Sequence, residues 1–497
     1  MLLRSKGHVN VAAATRVSTN MIRFRLQLIL LVFFVVGTAS AFVARLPSPS
    51  VVRRGTSSSS TNSATMLFVA ETDTDTVPPT PGVSCSGEKI AVVGATGYIG
   101  KAVVRESLRR GYPTTAVVRP GSNADATMFT GSYTKKNTNI FEPTATSIAT
   151  ATDTESSLAI KRFDVSDQEA CSRSTQGESQ NDNNDGLFEP GSVDVVVCCL
   201  ASRNGTPREA FAIDYRAALN VAEAAKEAGA RRFVLLSAYC VKSAELKEPH
   251  ALQFQYAKKK LELALAEMSK SDSDCSDNNN NPFSYVAIRP TAFFKSVSGQ
   301  LETVQAGGPF ILFDLGAGKT AACNPISEDD LASALIDQVV DDTHKNTHWN
   351  LGGPDTPGLD KMDQMNSMTE VLGFQQQPRL IYVPIGVLHF FVNSFQWLAD
   401  VFRSDKLNDA AELARIVRYY AIEDMLTTSP DEKYGTMTTR QHYEYIAKNG
   451  QEYDPYTSAY GILKDRERIL DDAAAVVAEA TTTSAAVDEK VAMEGNL

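Results

Sequence analysis

Short apolar runs alternate with longer stretches in which apolar positions recur every three or four residues. Runs at 88–94 (EKIAVVG), 114–118, 158–163, 193–200, 232–238 and 283–289 lack strict in-out alternation, as expected of strands buried on both faces of a parallel sheet. Helical periodicity occupies 98–111, 206–229 and 250–269. Strands alternating with helices predict an α/β protein with right-handed crossovers, a Rossmann-type doubly wound parallel sheet. The pattern places this domain at residues 88–290 and a smaller C-terminal substrate-binding region at 291–461.

Three stretches break the periodicity: 121–157, 172–190 and 270–282. They are rich in Thr, Ser, Asn, Asp and Gly, cannot bury a core, and are expected as loop insertions. Residues 462–497, rich in Ala, Thr, Val and Glu from Asp471 onward, are expected to be a disordered tail. At the other end, Arg23 and Arg25 precede an apolar run from Leu26 to Val36, closed by Ala39-Ser40-Ala41. That is the order of a signal peptide, and the run is short for a membrane anchor. From Phe42 to Ala70 there is no acidic residue, while Arg45, Arg53, Arg54 and four serines at 57–60 follow. This is transit-peptide composition, so 1–41 is expected as a signal peptide and 42–87 as a transit peptide and linker.

The first strand runs into Gly94-Ala95-Thr96-Gly97-Tyr98-Ile99-Gly100, which opens a helix. Such glycines allow a tight turn and close approach of a pyrophosphate, and the helix start offers free N–H groups. In strand–turn–helix context the motif predicts nucleotide binding. Its G-x-x-G-x-x-G spacing resembles the extended and atypical short-chain dehydrogenases, and makes Gly94, Thr96, Gly97, Tyr98, Ile99 and Gly100 cofactor contacts. Arg119 stands 19 residues beyond Gly100, with no acid until Asp125. A guanidinium there suits a 2′-phosphate, which predicts NADPH; the alternative is a solvated strand end. The resemblance implies that Asp164 meets the adenine, that Leu200 and Ala201 run beside the cofactor, and that Ser237 is a further contact.

Those dehydrogenases commonly carry Y-x-x-x-K on one helix, the tyrosine as proton donor and the lysine as ribose anchor. Tyr256 and Lys260 have the spacing. The apolar stripe Phe254, Ala257, Leu261, Leu265, Met268, however, puts Lys258 on the inward side and Tyr256 and Lys260 outward, since each residue turns a helix by about 100°. Lys258 is therefore the candidate lysine, and Phe254 stands where the tyrosine would be.

The stretches 193–215 (VDVVVCCLASRNGTPREAFAIDY), 233–241 (FVLLSAYCV), 254–262 (FQYAKKKLE), 289–300 (RPTAFFKSVSGQ), 324–332 (NPISEDDLA) and 414–426 (ARIVRYYAIEDML) closely resemble the NADPH-dependent divinyl chlorophyllide 8-vinyl reductases of plants and algae. The resemblance implies hydride transfer from NADPH to the 8-vinyl group of divinyl chlorophyllide or protochlorophyllide in a plastid. With the two-part leader, it implies a complex plastid. Tyr239, Cys240, Lys258 and water are the candidate proton donors. Phe293 and Phe294 are candidates to stack on a macrocycle or to pack in the core, and Lys295 to meet a propionate or be solvated. Residues 381–402 (IYVPIGVLHFFVNSFQWLADVF) fit a buried helix best, with a pigment pocket or peripheral contact with the thylakoid as alternatives. Two other functions share the scaffold: another NADPH-dependent double-bond reductase of the isoflavone-reductase type, and a non-catalytic redox sensor or assembly factor.

Composition narrows the classes further. A net charge of −11 argues against a nucleic-acid partner. The seven cysteines include no C-x-x-C, which leaves no signature of a zinc or iron–sulfur site. His344 and His348, in DDTHKNTHWN, are expected on a solvated loop or helix end rather than at a metal.

Overall fold

The six apolar runs form β1 (Ile90–Val93), β2 (Thr114–Val118), β3 (Leu158–Arg162), β4 (Val195–Cys198), β5 (Arg232–Leu236) and β6 (Ser284–Pro290). They belong to a computed structural model that describes residues 87–130, 158–172, 186–246, 252–273 and 282–450. The expected leader up to residue 86, most of the three polar insertions and the expected tail lie outside the described residues.

Three strands were not expected, β7 (Phe310–Asp314), β8 (Thr347–Leu351) and β9 (Leu380–Pro384). β8 joins the main sheet, giving seven parallel strands in the order β3-β2-β1-β4-β5-β6-β8. His348 therefore lies on a strand, and His344 stacks on Trp349 with ring centroids 4.4 Å apart. This corrects the loop reading for His348, which is exposed on the strand, whereas His344 lies in the turn before it. β8 is an edge strand whose first residues are exposed, so only one side must be apolar and the buried-strand pattern is absent.

Successive residues of the central strands feed opposite cores, as the two-residue period of a strand requires. Ile90 and Val92 pack with α1 (Tyr98–Arg109), while Ala91 and Val93 join the opposite core. That second core includes α2 (Ala218–Glu227), which continues a π-helical segment Ala210–Ala217, and α3 (Gln253–Ser273). α4 (Glu328–Asp337) covers the α1 side. The chain thus returns to the first domain at residues 328–351 after the expected boundary at 290. Each fully buried Val, Leu or Ile here stabilises by about 1.5–3 kcal/mol.

The remaining C-terminal residues build a smaller unit. β7 pairs in parallel with β9 (Leu380–Pro384). α5 (Lys361–Val371) and α8 (Thr439–Asn449), both opened by capping boxes, share a core with Phe310 and Leu312. α6 (Ile385–Phe402) turns at Arg403, in the left-handed region with φ 48°, into α7 (Asp405–Ile422). The expectation of a buried helix at 381–402 is not met. Of α6 only Val392, Ser394 and Ala399 are buried, and Trp397, Val401 and Phe402 are 41, 53 and 67% exposed.

Candidate active site

The residues picked from the sequence converge at the C-terminal ends of the parallel strands, where β1 and β4 part toward neighbours on opposite sides. Open α/β sheets bind ligands at such a switch point. Gly94 ends β1 with φ +81°, and a Cβ on it would lie 2.9 Å from the Cys199 carbonyl oxygen. A Cβ on Gly100 would lie 2.2 Å from the Gly94 oxygen. The loop can close this tightly only without side chains. Gly97 caps α1 with no side-chain acceptor, so the first N–H groups of a 12-residue helix face the loop. Ile99 packs its side chain in the core at 5% exposure, so its backbone amide alone is available to a ligand. These features fit a dinucleotide pyrophosphate.

At the far end of this cleft Arg119 is exposed directly after β2. Arg162 braces the following turn by donating from Nη2 to the Ala124 carbonyl at 2.9 Å. Asp164 is exposed after β3, its Oδ1 accepting from the Ser166 amide at 3.0 Å and hydroxyl at 2.6 Å. Leu200 is half-buried and Ala201 exposed just past β4.

Deeper in, α3 resolves the question of the lysine's orientation. Lys258 is buried and Lys260 exposed, Nζ of the latter 4.5 Å from the Tyr215 ring centroid. Lys258 Nζ meets Asp214 Oδ1 at 3.1 Å. Burial pulls the ammonium down, but the charge and hydrogen bond of Asp214 outweigh it and leave Lys258 above the ordinary lysine value. Asp214 also accepts from the Ser202 amide at 3.3 Å, tying the lysine to the β4 loop. Sequence reasoning missed Asp214. Its signal was an acid within the apolar stretch Phe211–Tyr215, and the π segment that carries it has a wider turn than an α-helix.

Ser237 donates its hydroxyl to Glu262, which also pairs with Arg289 through Nε at 3.1 and 3.2 Å. All three side chains are buried. The Ser237 hydroxyl is thus directed into a structural network with Glu262 and Arg289. Cys240 is fully buried, and burial pushes its thiol up to about 12 against the opposing charge of Lys258. Tyr239 donates to the Leu426 carbonyl at 2.8 Å and accepts from Lys242 at 2.6 Å. It belongs to a small core cluster with Cys240, Val297, Cys323 and Met425, against which Phe254 and Ala292 pack.

On the substrate side the two phenylalanines separate. Phe294 has no exposed surface and packs on His442, centroids 4.5 Å apart. It is a core residue, which corrects its assignment to substrate. Phe293 is half-buried beside Tyr98, centroids 6.2 Å apart, and Lys295 Nζ lies 5.7 Å from the Tyr98 ring. Tyr98 is anchored by its hydroxyl to Glu328 at 2.7 Å. α7 lies over the start of α3: Glu412 accepts from the Gln253 amide at 2.7 Å, and Ile416 stands over Gly205 beside Phe254.

The family described as NAD(P)H-binding matches residues 191–342, and the NAD dependent epimerase/dehydratase family matches 90–266. The solved isoflavone reductase is 16% identical, with 73% of this chain and all of the other covered at a TM-score of 0.46. Divinyl chlorophyllide a 8-vinyl-reductase from Oryza sativa subsp. indica is 36% identical over 382 residues, 75% of this chain and 82% of the relative. The enzyme of that name from Arabidopsis thaliana is 35% identical over 370 residues, 73% of this chain and 77% of the relative. With identity of this level spread over most of both chains, and a nicotinamide-dinucleotide domain at its centre, the protein belongs to the divinyl chlorophyllide a 8-vinyl-reductase family.

Proposed function

We propose that this protein reduces the 8-vinyl group of divinyl chlorophyllide or protochlorophyllide to ethyl, using NADPH. The observation that carries the reading is the cleft itself, in which a buried Lys258–Asp214 pair stands behind a glycine cradle and Phe254 occupies the place of the usual proton-giving tyrosine. Alcohol–ketone chemistry needs an acid at that place, whereas reduction of a conjugated carbon–carbon double bond does not. NADPH supplies the hydride when bound. Gly94, Thr96, Gly97 and Gly100 admit its pyrophosphate to the α1 start, Lys258 holds the nicotinamide ribose, and Leu200 and Ala201 flank it. Phe293 and Lys295 line the approach of the flat substrate, and α7 excludes water from above.

The direct test is turnover by the chain from about Thr72 with NADPH and divinyl chlorophyllide, the pigments being separated by chromatography. Monovinyl product supports the reading. Bound NADPH with intact divinyl pigment sinks it and favours a redox sensor, a role compatible with Phe254.

Arg119 supports NADPH over NADH because a planar cation suits the 2′-phosphate. Arg119→Ala should weaken NADPH binding by roughly 10- to 100-fold, the worth of one or two charge-assisted hydrogen bonds, and leave NADH nearly unchanged. Equal losses for both cofactors in a binding titration would remove Arg119 from the site.

Plastid localisation and a peripheral position on the thylakoid complete the proposal, with residues 1–87 as the address of a complex plastid. α6 supports the membrane contact: 18 residues with a mean hydropathy of 1.2 are only 17% buried. His389, Asn393 and Gln396 suit a helix lying on a bilayer rather than crossing it. Val401→Asp with Phe402→Asp should cut co-sedimentation with vesicles of thylakoid lipids several-fold. Undiminished binding would exclude α6 as the contact.

A further inference from the structure

Several arginines of this fold meet carboxylates: Arg110 pairs with Asp337, Arg231 with Glu88 and Arg289 with Glu262. Arg162, the last residue of β3, is used differently. Its guanidinium is spent on main-chain carbonyls, Nη2 donating to Ala124 at 2.9 Å and Nε to Ser122 at 3.4 Å. Among the described residues it has no ion pair.

Both carbonyls belong to the turn that starts at Arg119. In the sheet Val118 is level with Arg162, and the Val118 carbonyl accepts from the Phe163 amide at 2.9 Å. Arg119 therefore leaves β2 beside the strand end that carries Arg162. The turn closes where the Ser122 amide donates to the Arg119 carbonyl at 3.1 Å, with Pro120 and Gly121 at its centre and φ +74° at the glycine. The Ser122 hydroxyl accepts from the Ala124 amide at 3.3 Å, and Ala124 is buried in the core beside α1. The same end of β2 is tied to the glycine loop, since the Ala95 amide donates to the Val117 carbonyl at 3.4 Å.

The neighbouring acids are occupied elsewhere. Asp125 accepts from the Thr127 hydroxyl at 2.5 Å and the Met128 amide at 3.2 Å, capping the short helix Thr127–Thr130. Asp164 is held by Ser166. Among the described residues the Arg119 side chain makes no hydrogen bond or ion pair. The turn thus presents one guanidinium with its donors unspent, in a frame held by a second.

We propose that Arg162 is a positioning residue for cofactor choice, locking the 119–124 turn so that Arg119 meets the 2′-phosphate of NADPH. The proposal rests on the NADPH reading above. A planar fork that holds two carbonyls fixes the turn before the cofactor arrives, so less order is lost when the phosphate binds.

The experiment titrates NADPH and NADH into the wild type, Arg162→Met, Arg162→Lys, Arg119→Ala and the variant carrying both Arg119→Ala and Arg162→Met. Arg162→Met should weaken NADPH roughly 10-fold, the low end of what a charge-assisted hydrogen bond is worth. NADH should stay within about twofold of wild type, which also reports an intact fold. Arg162→Lys should behave like Arg162→Met, because one ammonium is a point donor and not a fork. In the Arg119→Ala background Arg162→Met should cost little more, since the turn then has no guanidinium to aim. Equal losses for both cofactors in Arg162→Met would make the residue merely structural and overturn the proposal. Full rescue by Arg162→Lys, or full additivity with Arg119→Ala, would show charge acting without the turn and overturn it as well. A wild type that binds NADPH no tighter than NADH sinks the NADPH reading itself, whereas discrimination left intact in Arg162→Met sinks the proposal alone.

Discussion

Gly100→Ala is expected to lower NADPH affinity by roughly 100-fold, the worth of one or two lost hydrogen bonds to the charged pyrophosphate. The added Cβ would sit 2.2 Å from the Gly94 oxygen, 2.9 Å from the Gly94 carbon and 3.0 Å from the Ala95 Cα. All three are backbone atoms of the loop that cradles the pyrophosphate, so relief comes only by opening the loop. Gly94 cannot yield easily, since its φ of +81° and its own contact with Cys199 already fix it between β1 and β4. Gly97→Ala makes a graded comparison: its Cβ would meet only the Gly94 oxygen, at 3.2 Å, and a shift of a few tenths of an ångström would absorb it. A fluorescence titration of NADPH should therefore rank wild type, Gly97→Ala and Gly100→Ala in that order. Wild-type affinity in Gly100→Ala would mean that the loop does not hold the cofactor.

That loop was legible in the sequence because its chemistry is local. Strand, glycines and helix follow one another within about a dozen residues. The face of α3 was legible for the same reason, since helical periodicity alone separates buried Lys258 from exposed Lys260. What escaped depends on distant partners. Asp214 reads as an ordinary helix residue until the π segment brings it to Lys258, 44 positions later. Ser237 reads as a contact at a strand end, but Glu262 and Arg289 draw its hydroxyl inward. Phe293 and Phe294 are indistinguishable in sequence, and only the location of His442 decides which is core. β8 hid because an edge strand needs only one apolar side. α6 misled in the opposite direction: apolar composition predicts burial in a soluble core, and it does not reveal that the helix is left largely uncovered.

Asp214→Ala carries the second large expectation, affecting both stability and turnover. Removing one partner of a buried ion pair strands the other charge, at a cost of about 3–5 kcal/mol. Lys258 can lower that cost by losing its proton, because without the carboxylate, burial, which pulls it down, is the largest influence left. The sign of the pH dependence follows. In the wild type the folded-state lysine is raised above its unfolded value of about 10.4. Its contribution to stability is complete below that pH and is lost as pH rises through the folded value. In Asp214→Ala the folded value falls below the unfolded one, so this site should instead favour folding as pH rises. Turnover should fall, since a neutral lysine no longer offers a fixed cationic donor to the ribose. The double variant Asp214→Leu with Lys258→Met separates the two effects. Replacing a buried pair by apolar groups of similar size is often neutral for stability, so thermal unfolding should return near the wild-type midpoint while vinyl reduction stays absent. If the double variant recovers both, the pair is merely structural and the ribose is held elsewhere. If it recovers stability alone, the ion pair is retained for the cofactor, and the fold bears its desolvation cost for that purpose.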